Sequence, residues 1–233
     1  MSVSESTDVL AQTSSLRWIG YGLAAAGAAA TVMRLVQPGP LWTGVLLATA
    51  VAGLSVVART PEAFEIKWRG GDRKLNGLVG APAYCLFFIG LAVQVDDFTL
   101  PVAGAAAGAA LALMASMRGL GRPGLNSRVT YQVLMAVFGG MLGYGGVVAL
   151  DVDYDRSAPV VVAAPVLEKW ITHGRSSTTY HMRLPPFGAR RAGSSIVVDR
   201  DTYAALSPGE QVCVIEHRGA IGVPWITSKL CDH

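Results

Sequence analysis

Charge is scarce in this chain. Asp, Glu, Lys and Arg supply 15% of its 233 residues, against about 25% in an ordinary soluble domain, which excludes a water-soluble globule as the whole of the molecule. Three cysteines exclude a disulfide-dense scaffold and a four-thiolate metal site within one chain. Catalytic signatures are missing as well: there is no G-x-S-x-G, no Walker loop and no G-x-G-x-x-G opening a suitable helix. What is abundant is apolar surface, with 52% hydrophobic residues and a mean hydropathy of +0.41. That composition describes a membrane protein. The net charge of +3 resides in loops between apolar runs, so it speaks to orientation in a bilayer and not to a nucleic-acid face.

A hydrocarbon core of about 30 Å needs roughly 20 apolar helical residues, because the backbone must satisfy itself there without water. Five stretches meet that length, from Leu16 to Val36, Leu41 to Ala58, Asn76 to Val95, Phe98 to Met117 and Tyr131 to Leu150. Gln37-Pro38-Gly39-Pro40, Asp96-Asp97 and the polar, glycine-containing run from Arg118 to Thr130 interrupt them. Arg59, Lys67, Arg69, Arg73 and Lys74 follow the second run, and Arg118, Arg122 and Arg128 follow the fourth. Positive loops stay in the cytoplasm, so the expectation is a bacterial inner-membrane protein with residues 1–15 as a cytoplasmic tail. Residues 16–150 are then a five-helix transmembrane domain, and residues 158–233 a periplasmic domain. A cleaved leader is disfavoured by Glu5 and Asp8 and by the length of the first apolar run.

Ionisable side chains are nearly absent from the runs. Arg34 is the exception, and it lies close enough to a helix end to reach the interface by snorkelling. Small residues recur at helix-packing spacing, as Gly104-x-x-x-Gly108 and Gly139-x-x-x-Gly143. Such spacing serves either a dimerisation face or, more simply, contact within the bundle. The basic loop from Arg59 to Leu75, with Phe64, Ile66 and Trp68, suits either a solvated positive-inside loop or contact with anionic lipid.

Beyond Ala158 the pattern changes to short β-branched runs separated by turn residues. Val160 to Trp170, Ser176 to Leu184, Ser194 to Val198, Gln211 to His217 and Gly222 to Thr227 read as extended, with Pro159 and Pro165 confining the first to an edge. Tyr180, Met182 and Leu184 alternate onto one face. This is a small all-β domain, barrel or sandwich, whose core is marginal at this size. Cys213 and Cys231 are expected to bridge and to contribute about 3 kcal/mol in the chain-entropy model; a reactive redox pair is the alternative, without C-x-x-C spacing to favour it.

Tyr203-x-x-Leu206-x-x-Gly209-x-x-Val212-x-Val214 places Tyr203 and Leu206 in the core, reverses the chain at Pro208-Gly209 and points Val212 and Val214 inward; Trp225 then packs back after the next turn. This element resembles the small extracytoplasmic β-domain of an uncharacterised family of bacterial membrane proteins. The order of helices before a small β-domain is also similar to that of NfeD-like membrane proteins, whose soluble part is an OB-type barrel. Neither resemblance implies a catalytic activity.

His173, His181, His217 and His233 all fall in this last domain, but none shows metal-ligand spacing with Cys213, Cys231, Glu216 or Asp232. Arg183, Arg190, Arg191, Arg200 and Arg218 make its surface basic in patches. The sequence therefore points to a non-enzymatic membrane protein without cofactor, an accessory or assembly subunit that contacts lipid and either a protein partner or a second copy of itself. A small transporter or channel is the second expectation.

Overall fold

Proline and glycine at 38–40 stop one helix and start the next, since Pro40 has no amide to leave unsatisfied at a first helical turn. A computed structural model describes residues 3–59, 73–119, 125–175, 177–187 and 194–231. The chain divides into a helical unit, Met1–Ala92 with Thr99–Tyr154, and a β unit, Val93–Phe98 with Asp155–His233.

The helical unit comprises α1 (Val3–Val36), α2 (Pro40–Arg59), α3 (Arg73–Ala92), α4 (Thr99–Gly119) and α5 (Leu125–Asp153). Residues 3–15, expected as a tail, continue into α1 as helix. Among the described residues three stretches are long and apolar enough to cross a membrane, Pro40–Ala58, Thr99–Met117 and Val129–Asp153, and Tyr21–Val36 and Ala81–Ala92 are apolar over shorter lengths. The expected set of five transmembrane helices is thus met by three, and the described helices number six, because α6 (Arg200–Ala205) stands in the β unit. Residues 60–72 and 120–124, with the loop apolar residues Phe64, Ile66 and Trp68, lie outside the described residues.

Close approach of backbones holds the helices together. A Cβ on Gly104 would lie 2.9 Å from the Gly143 carbonyl oxygen and 2.6 Å from Val147 Cγ2, and one on Gly139 would meet the Gly108 carbonyl. Gly145, on another side of α5, abuts the backbone of α3 at Leu86 and Phe87. Pro82, inside α3, is accommodated because Gly27 of α1 leaves it room: a Cβ there would sit 2.6 Å from Pro82 Cγ. Ala30, Leu46, Ala50, Ala83, Leu86 and Ala149 fill the space between these contacts.

The β unit contains two antiparallel sheets. One has the order β1 (Gln94–Val95), β7 (Trp225–Leu230), β6 (Gln211–His217), β2 (Val160–Pro165); the other runs β3 (Glu168–His173), β4 (Thr178–Leu184), β5 (Ser194–Val198). Inward residues of both sheets make one core, including Met182, Leu184, Ile196, Val212 and Val214. The extended run expected over 160–170 is two strands, because Val166 bonds back to Glu210 while Leu167 bonds to Arg183, turning the chain from one sheet into the other. β2 lies at an edge, where its flanking prolines cost no ladder bond. β1 comes from the connection between α3 and α4: the third apolar run, expected to stay helical to Val95, ends as helix at Ala92, and Gln94–Val95 pair as a strand with β7 instead.

Candidate functional site

The segment around the sequence motif folds from local rules. Asp199 caps α6, its carboxylate accepting from the amides of Asp201 and Thr202 and from the Thr202 hydroxyl. Those bonds, the Thr202 hydroxyl first, hold its pKa below the usual carboxylate value. Ser207-Pro208-Gly209-Glu210 closes a turn with Glu210 N donating to Ser207 O at 3.0 Å, and Gly209 adopts φ +95°, the left-handed value that position i+2 of a type II turn requires. Leu206 is buried in the core and Tyr203 packs on it half-buried, against Tyr180 at 5.0 Å. Lys169 stands 4.2 Å above the Tyr203 ring and donates to the carbonyls of Tyr203 and Leu206, closing the end of α6. Nothing in the sequence spacing marks Lys169 for this role.

Val212 and Val214 are fully buried. Cys213, facing the other way on β6, forms a disulfide with Cys231 at the end of β7. Trp225 does not join the core cluster: its neighbour Ile226 takes that position, and Trp225 stacks on His217, its cross-strand partner, at 3.7 Å. Period-2 alternation makes the two residues exclusive.

The histidines are held by cross-strand neighbours. His181 stacks on Trp170 at 5.1 Å, His217 on Trp225, and His173 Nδ1 lies 3.5 Å from Thr178 Oγ1; His233 is outside the described residues. Among the described residues no group of three or more His, Cys, Asp or Glu is placed to hold a metal ion. Asp155 makes the densest polar contact: its carboxylate accepts from Ser157 N at 2.8 Å and Gly219 N at 3.0 Å, with His217 Nδ1 at 3.9 Å. Burial works to raise the Asp155 pKa, yet the hydrogen bonds from Ser157 and Gly219 prevail and the carboxyl lies below its ordinary value. Burial lowers the His217 pKa against the pull of Asp155. Glu168 and Arg183 pair on the surface at 3.1 Å, while Arg190 and Arg191 fall outside the described residues.

In the helical unit the four small residues singled out by spacing meet one another, Gly104 with Gly143 and Gly108 with Gly139. Sequence reasoning missed a second cluster. Arg34 does not simply reach outward: its guanidinium grips Asp153 of α5 with two bonds, 2.9 and 3.1 Å, and donates to Thr43 of α2 at 2.8 Å, while the Thr43 hydroxyl bonds the same carboxylate. Arg34 and Asp153 side chains are 9% and 5% exposed. The pair spans 119 positions of sequence, and the only signal for it was an Arg and an Asp at matching ends of two apolar runs.

Comparison with protein-family models, curated proteins and solved structures gives no match for this chain.

Proposed function

We propose that the protein is a non-enzymatic integral protein of a bacterial inner membrane, with five membrane-crossing helices, a cytoplasmic N-terminus and a periplasmic β unit that serves as an accessory or assembly subunit by contacting another protein. The Cys213–Cys231 disulfide carries this reading, since such bonds persist in oxidising compartments and the basic loops mark the opposite face. Support for a partner comes from β2, an edge strand with adjacent exposed valines, Val160 and Val161. The β unit keeps the form of a small barrel or sandwich, two separate antiparallel sheets around a single core, with the chain passing from one sheet to the other where β2 continues into β3.

A reporter fused after His233 is expected to be active only in the periplasm, and native gels with crosslinking in intact membranes are expected to find the chain in a larger complex. A cytoplasmic reporter signal overturns the orientation; a monomer without crosslinked partners overturns the assembly role.

A second reading, a small transporter or channel, is favoured by the buried Arg34–Thr43–Asp153 cluster, since ionisable groups within helical bundles often lie on solute paths. Solute flux into liposomes carrying the purified protein, lost in Asp153→Asn, would favour it; absence of flux excludes it for the solutes tested.

A further inference from the structure

Among the described residues, two strands from different sheets border a gap that the C-terminal segment leaves unfilled. β7 has β6 on one side and only the two residues of β1 on the other, and β5 is the edge of its own sheet. Gln94 belongs to both borders. Its backbone pairs with Ile226 of β7, while its side-chain amide accepts from Val197 N of β5 at 2.9 Å and donates to Val197 O. A primary amide carries the same donor and acceptor as a peptide unit, so Gln94 continues one sheet through its main chain and the other through its side chain. Val95 beside it is 8% exposed, and Asp96 N donates to Pro224 O at 2.8 Å.

We propose that residues 93–98 are a strap that completes the β unit from outside its C-terminal segment, so that this segment reaches its closed form only once the strap, delivered between α3 and α4, has docked on β7 and β5. Without the strap, Val197 and the outer edge of β7 present open backbone groups, the condition that invites wrong strand pairing. The strap makes completion of the β unit conditional on placement of the α3–α4 connection. It also requires residues 93–98 and 155–231 to lie on one side of whatever membrane the helices cross. That requirement holds for either absolute orientation, so it stands apart from the periplasmic assignment.

The test uses the full chain in detergent micelles, with residue-resolved hydrogen exchange on the wild type and on Gln94→Ala. The Val197 amide is expected to be protected in the wild type and to exchange about tenfold faster in the variant. The Ile196 amide, which strand alternation turns toward β4, is expected to keep its rate. Equal Val197 rates in the two proteins would overturn the proposal. In sealed vesicles, cysteines placed by Asp97→Cys and Ser207→Cys should react with an impermeant maleimide from the same face. Labelling from opposite faces also overturns the strap, whereas common labelling from the cytoplasmic face leaves it standing and removes the periplasmic reading instead.

Discussion

Asp151, Asp153 and Asp155 stand two residues apart and end in three different environments. In the sequence they form one acidic run at the end of the last apolar stretch. In the structure Asp151 is buried at the end of α5, Asp153 holds Arg34, and Asp155 organises the turn residues Ser157 and Gly219. Their positions were legible, but the partners Arg34 and Gly219 were not, because tertiary packing sets them. Removing one member of a buried pair strands the other charge. Arg34→Met is accordingly expected to destabilise the helical unit by about 3–5 kcal/mol, and the double change R34M/D153L to come much closer to wild type. Thermal melts in micelles followed by circular dichroism measure both.

At the same scale, protonation tunes the β unit. The His217 pKa is lowered, chiefly by burial, so the unfolded chain binds the proton more readily. Its contribution is present above the unfolded value of about 6.5 and is lost as pH falls toward the folded value. Asp155 and Asp199 are also lowered. Their contributions hold above about pH 4 and vanish as pH falls through the folded values. Protease resistance of the β unit in the full chain is expected to decline in two stages on acidification, and His217→Phe to remove the upper one. A wild-type profile that is flat between about pH 7.5 and 5.5 would contradict the first stage.

Elements repeat this lesson with a different physical cause. Strands β4 and β5 were readable because their buried residues fall two apart, as Met182 and Leu184 or Ile196 and Val198 do, and β6 because it is rich in β-branched residues, Val212, Val214 and Ile215, although Cys213 between the valines is buried as well. The corner between β2 and β3 was not, since an apolar run continues through Val166 and Leu167 and only hydrogen bonding divides it. β1 is two residues long and α6 six, too short for any period to register. Small-residue spacing did mark the α4–α5 seam, but spacing alone leaves open whether the face meets a neighbour in the bundle or a second chain. The facing glycines leave a side chain no room there: a Cβ at position 143 would collide with the Gly104 carbonyl. Gly143→Ala should therefore cost about 1–3 kcal/mol by overpacking, and Gly143→Leu more, as read from the melting temperature in micelles. Asp199→Ala, which removes the cap of α6, should cost the β unit about 1 kcal/mol, measurable as faster exchange of the Thr202 amide.

For the whole molecule, the disulfide joins stability to compartment. The β unit rests on one modest core, and units of this size bury too little surface to be robust without help. Cys213–Cys231 closes a separation of 18 residues, for which the chain-entropy model gives about 3 kcal/mol. In a unit this small each kcal/mol moves the melting point by about 4–8 °C, so reduction, or Cys213→Ser with Cys231→Ser, should lower the midpoint of the β unit by roughly 12–24 °C. The helical unit, held by glycine contacts and the Arg34–Asp153 pair, should melt unchanged. Differential scanning with and without reductant on the full chain separates the two transitions. Because the bond bridges β6 to the end of β7 and β7 carries β1, loss of it should also weaken pairing at Ile226. Protection there should then fall in the reduced protein even at temperatures where the core stays folded. A reduced protein with an unshifted transition would mean that the cystine contributes nothing to folding, and the β unit would then stand equally well in a reducing compartment.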